Sequence, residues 1–72
     1  MFPRENLHIS DVNLVHALEW IADGDQTAYK VTINGVLYSG ADTAYEANVI
    51  AYSACIMLQV FGYKTKVNYL SL

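Results

Sequence analysis

The sequence predicts an α+β domain of order α-β-β-α-β, a three-stranded antiparallel sheet (spatial order 2-1-3) with helices on one face. Three observations predict it: Asn34-Gly35 between two alternating runs, Thr43 and Glu46 ahead of a long apolar run, and a second alternating run after Gly62. Seventy-two residues are read as one domain, 1–72, with residues 1–9 as an irregular arm. A chain of this size buries only about 60% of its unfolded surface, so it needs a staple. Cys55 alone cannot form an internal disulfide, and two histidines with one cysteine make a poor metal inventory. With 54% hydrophobic and only 15% charged residues, the expected staple is a second subunit or a permanent partner.

In "DVNLVHALEWIAD", Leu14, Val15, Leu18, Ile21 and Ala22 recur with helical spacing. Ser10 suits the N-cap, Asp11 the first turn and Gly24 the stop, which predicts an amphipathic first helix. Trp20 then lies opposite the apolar stripe, among Asn13, His16 and Glu19. Tryptophan is enriched at binding hot spots. Val12, His16, Glu19, Trp20 and Asp23 are therefore the candidate partner-binding patch, acidic and partly aromatic, suited to a basic surface. The alternative is that the arm or the "DGDQT" loop folds over the indole.

In "TAYKVTINGVLYSG" the Asn-Gly pair predicts a two-residue hairpin turn, which needs positive φ at both central positions. The expected pairs are Ile33 with Val36, Val31 with Tyr38 and Tyr29 with Gly40. Tyr29, Val31, Ile33, Val36 and Tyr38 then share one face, while Lys30, Thr32, Leu37 and Ser39 share the other.

Thr43 and Glu46 form a T-x-x-E capping box, and Gly62 supplies the stop, so a helix is expected over 44–61. At about 100° per residue, Ala47, Ile50, Ala54, Met57, Leu58 and Phe61 form the arc that meets the sheet. Val49, Ile56 and Val60 form a second apolar arc; Asn48, Cys55 and Gln59, with Tyr45 and Tyr52 alongside, complete the circumference. The first helix could cover the second arc. Otherwise Tyr45, Val49, Tyr52, Ile56 and Val60 are the candidate oligomer interface. A membrane span is not expected: the uncharged stretch 47–63 has 17 residues, against the roughly 20 a bilayer needs.

"YKTKVNYLSL" alternates as a third strand, expected antiparallel beside the first strand of the hairpin after a crossover through the helix. The hairpin, capped helix and closing strand resemble an arrangement common among small antitoxin-like and phage-encoded proteins, and it identifies no family.

Net charge is −3, which disfavours a general nucleic-acid binder. Lys30, Lys64 and Lys66 share the open face of the expected sheet and define the alternative function, single-stranded nucleic-acid binding. With Tyr29, Tyr38 and Tyr69 turned inward, that face lacks stacking platforms. No catalytic residue, cofactor or metal is expected. His8 and His16 fall in different elements, and Cys55 reads as a buried small hydrophobe. No basic region precedes an apolar run at the amino terminus, and one thiol suits a reducing, cytoplasmic setting. The expected function is a protein-binding regulator or inhibitor, of the kind phages and mobile elements carry, that occludes a larger target protein and acts as a homo-oligomer.

Overall fold

The computed structural model describes residues 11–21, 24 and 26–72. The expected arm at 1–9, the Ser10 cap, His8, Ala22, Asp23 and Asp25 lie outside the described residues. The class is α+β, but the architecture departs from α-β-β-α-β. Four strands and one helix follow in the order β1 (Val12–Ile21), β2 (Thr27–Ile33), β3 (Val36–Ala41), α1 (Ala44–Val60) and β4 (Lys64–Asn68). The sheet runs β3-β2-β1-β4. Strand β1 pairs antiparallel with β2 and parallel with β4, so the sheet is mixed.

The predicted first helix is therefore a strand, and it occupies the position expected for the closing strand. The spacing of Leu14, Val15, Leu18 and Ile21 fits a helical stripe, but the segment also alternates. Asn13, Val15 and Ala17 are buried, while Val12, Leu14, His16, Leu18 and Trp20 point to the other face. A strand with apolar residues on both faces satisfies either period, and pairing with β2 on one side and β4 on the other decides between them. The closing strand lies beside β1 instead of the hairpin, with Val67 opposite Val15.

The hairpin forms at the predicted turn, with Asn34 at φ 53° and Gly35 at φ 84°. Ile33 faces Val36 as expected, but an irregularity between Val31 and Thr32 shifts the rest by one residue. Val31 then pairs with Ser39 and Tyr29 with Ala41, so Ser39 does not share the open face. A bulge of this kind places two residues opposite one. It lets Tyr38 still pack against the core.

Helix α1 is capped as its sequence predicts. Thr43 Oγ1 accepts from the Glu46 N–H at 3.0 Å, and Glu46 Oε1 accepts from the Asp42 N–H at 2.8 Å. The carboxylate thus reaches one residue beyond the N-cap, still close to the positive end of the helix dipole. At the other end Tyr63 N donates to Leu58 O and Gly62 N to Gln59 O, both at 2.9 Å, with Gly62 at φ 91°. That is the Schellman arrangement, which satisfies carbonyls the helix would otherwise leave bare.

The core lies between α1 and one face of the sheet: Val15, Ala17, Val31 and Ile33 below, and Ala47, Ala51, Ala54 and Leu58 above. Alanines along the buried face of α1 let the helix approach the sheet closely. Asn48 makes a two-point clamp to the chain after β4, donating to Leu70 O at 2.9 Å and accepting from Leu70 N at 2.8 Å. Two and three turns further on, Cys55 and Gln59 meet Thr65: Sγ lies 2.8 Å from Oγ1, and Gln59 Nε2 donates to the same Oγ1 at 3.0 Å. The polar column of the helix is thus turned to β4 and the tail. Phe61, expected against the sheet, is 73% exposed.

Candidate interaction surfaces

Two layers leave two outer faces, the outer side of α1 and the open side of the sheet. The residues expected at an oligomer interface all lie on the first. Tyr45, Val49, Tyr52, Ile56 and Val60 are each between 41% and 76% exposed. The first four are separated by four, three and four positions, the a/d spacing of a two-helix seam. No second helix among the described residues covers them. The only charge on α1, Glu46, is held by the Asp42 N–H at the cap. The stripe is therefore uncharged as well as apolar.

The open side of the sheet is built around β1. Its outward residues, Val12, Leu14, His16, Leu18 and Trp20, run the length of the strand, about 27 Å at 3.3–3.4 Å per residue. Their cross-strand partners on β4 are Lys64 beside Val12, Lys66 beside Leu14 and Asn68 beside His16. On β2 they are Thr32 beside His16, Lys30 beside Leu18 and Ala28 beside Trp20. Val12, Leu14 and Trp20 are 47%, 40% and 43% exposed, and Leu37 on β3 adds a further exposed apolar side chain. Lys30 Nζ lies 5.5 Å from the centre of the Trp20 ring, a diagonal cation–π contact across the β1–β2 pair.

This arrangement divides the predicted Trp20 patch. Val12, His16 and Trp20 do share a face, because all three are even-numbered positions of one strand. Glu19 is on the opposite face, in register with Tyr29, and Asp23 lies outside the described residues. In place of acids, Trp20 has Lys30 for company, so the patch is basic where the helical reading made it acidic. The lysines assigned to the nucleic-acid alternative, Lys30, Lys64 and Lys66, join the same face. Leu14, Leu18 and Leu37 complete it. The first two escaped the sequence reading because a helix would have buried them.

Among the described residues, no three His, Cys, Asp or Glu side chains come close enough to hold a metal ion. Cys55 is buried, in contact with Thr65 and Gln59. Among the described residues no helix is long and apolar enough to cross a membrane. No known family model matches the chain, and neither the curated proteins nor the solved structures include one with significant similarity to it.

Proposed function

We propose that the chain is a small protein–protein interaction module, a homodimer joined along α1, which regulates or inhibits a larger target by covering part of its surface. The observation that carries this reading is the uncharged apolar stripe of α1, exposed and spaced as a helix–helix seam. A second copy is its natural occupant. An isologous contact sets the same patch against itself, and this patch contains no charge to repel its image. Covering half-exposed residues of this size contributes on the order of 1 kcal/mol each, while association costs about 4–15 kcal/mol. Two copies bring ten such side chains between them, five from each. The terms are comparable, so the dimer is expected to depend on concentration.

Dimerisation through the helices leaves both open sheet faces pointing outward and available for a target. Regulation by steric occlusion needs nothing more. The test is sedimentation equilibrium across a wide range of concentration. The expected result is a mass rising from 8.0 kDa toward twice that value. A mass fixed at 8.0 kDa at the highest concentration contradicts the dimer.

A second reading, single-stranded nucleic-acid binding, gains one specific observation: Trp20 supplies the aromatic that the open face otherwise lacked. It is the weaker of the two. Such surfaces use several stacking platforms along a basic groove, whereas this face offers one indole, already in contact with Lys30, and the His16 imidazole, amid Val12, Leu14, Leu18 and Leu37.

A further inference from the structure

We propose that the open face of the sheet docks an acidic, amphipathic segment of a protein partner, apolar side chains along the β1 column and carboxylates against Lys30, Lys64 and Lys66. The inference rests on reading the chain as a protein-binding module and names the chemistry of its target. Charge is the first argument. The chain carries net −3 with only four cationic side chains among Lys and Arg, yet three of the four stand on this one face. Neither carboxylate of the described strands and helix joins them: Glu19 is on the helix side of β1, and Glu46 is at the start of α1. An acidic protein whose described strands set three lysines on one face, with no carboxylate of those strands beside them, is complementary there to an anionic partner.

The lysines are interleaved with apolar side chains, which is the second argument. Each of Lys64, Lys66 and Lys30 stands directly beside Val12, Leu14 or Leu18, and Trp20 closes the end of the column. A ligand that offered charge alone would leave Val12, Leu14, Trp20 and Leu37 in water. One that offered apolar groups alone would desolvate lysines without replacing their hydration. A segment carrying both satisfies both, with Trp20 as the anchor.

The same pattern disfavours the other occupants. A second copy placed face to face would set Lys64, Lys66 and Lys30 against a like-charged set, a destabilising arrangement. Nucleic acid would use the cations but not the aliphatic column.

The experiment uses fluorescence anisotropy with three labelled probes: a short peptide alternating leucine with glutamate, its lysine-for-glutamate counterpart, and a deoxythymidine oligonucleotide. Trp20 is the only tryptophan in the chain, so its emission reports contact at the column. The expected result is binding of the acidic peptide alone, with a blue shift of Trp20. Affinity should fall roughly tenfold in the Lys64→Glu/Lys66→Glu double variant, where two favourable contacts become two repulsions. Both lysines are exposed, and an unchanged circular dichroism spectrum confirms that the variant folds. Equal binding of the lysine peptide, preference for the oligonucleotide, or no binding of the acidic peptide each overturns the proposal. Mass is measured on the same samples. A dimer that fails to bind defeats the docking surface and leaves the dimer standing, and a binding monomer does the reverse.

Discussion

The side-chain amide of Asn34, at the tip of the hairpin, donates to Oδ1 of Asn13 on the neighbouring strand at 2.9 Å. Asn34 also continues the β1–β2 ladder past its last regular pair. Its backbone N–H donates to Leu14 O at 2.8 Å, and its Oδ1 accepts from Leu14 N at 2.9 Å. The side-chain oxygen takes the place of the carbonyl that the positive φ of Asn34 turns away. Asn13, fully buried, passes the connection on by donating to Lys64 O at 3.2 Å. Two asparagines thus tie the turn, the central strand and the edge strand together.

Asn13→Val is expected to lower stability by about 1–3 kcal/mol, because it removes the part-buried hydrogen bonds that the fully buried Asn13 makes with the Asn34 amide and the Lys64 carbonyl. Urea unfolding should show a lower midpoint at unchanged slope. A midpoint within error of the parent would contradict the role of the clasp.

Gly62→Ala should cost about 1–2 kcal/mol. A Cβ there meets nothing within 4 Å, so the whole effect is backbone strain at φ 91°. Gly40→Ala provides the contrast. Its backbone lies outside the left-handed region, and its nearest neighbour would be Tyr29 O at 4.0 Å. No loss is expected, and thermal unfolding of the pair checks both.

Thr43→Ala removes the acceptor for the Glu46 N–H and should destabilise by about 1 kcal/mol. Thr43→Ser keeps the oxygen and should recover most of it. If alanine and serine behave alike, the cap contributes nothing.

Asn48→Ala should release the chain after β4, since both amide contacts to Leu70 are lost together. Carboxypeptidase digestion is expected to trim residues 69–72 faster than in the parent, with α1 and the sheet retained by circular dichroism.

The hairpin turn, the capping box and the Gly62 stop were legible because each is a local signal with one physical meaning. Asn34-Gly35 admits positive φ, Thr43 and Glu46 satisfy orphan N–H groups, and Gly62 ends a helix. The segment Val12–Ile21 was flanked by signals of the same kind, Ser10 and Asp11 as a cap and Gly24 as a stop, yet it is a strand. Its apolar residues fit both periods, and its state is set by β2 and β4, the latter about fifty positions away. That one element decided the candidate site as well. Read as a helix it buried Leu14 and Leu18 and gathered Glu19 beside Trp20; as a strand it exposes the leucines, turns Glu19 away and brings in Lys30. Which residues make up the outer stripe of α1 was legible, because helix geometry alone sets which residues share a face, but its exposure was not, since the expected first helix could have covered it.

The central claim is that the two faces divide the work, α1 joining copies and the sheet meeting a target. Light-scattering mass of two point variants, Ile56→Glu and Leu14→Glu, tests it most directly. Both sites are about 40% exposed, so neither change empties the core. The account predicts that Ile56→Glu falls to 8.0 kDa while Leu14→Glu keeps twice that mass. A Leu14→Glu monomer beside an Ile56→Glu dimer would contradict it.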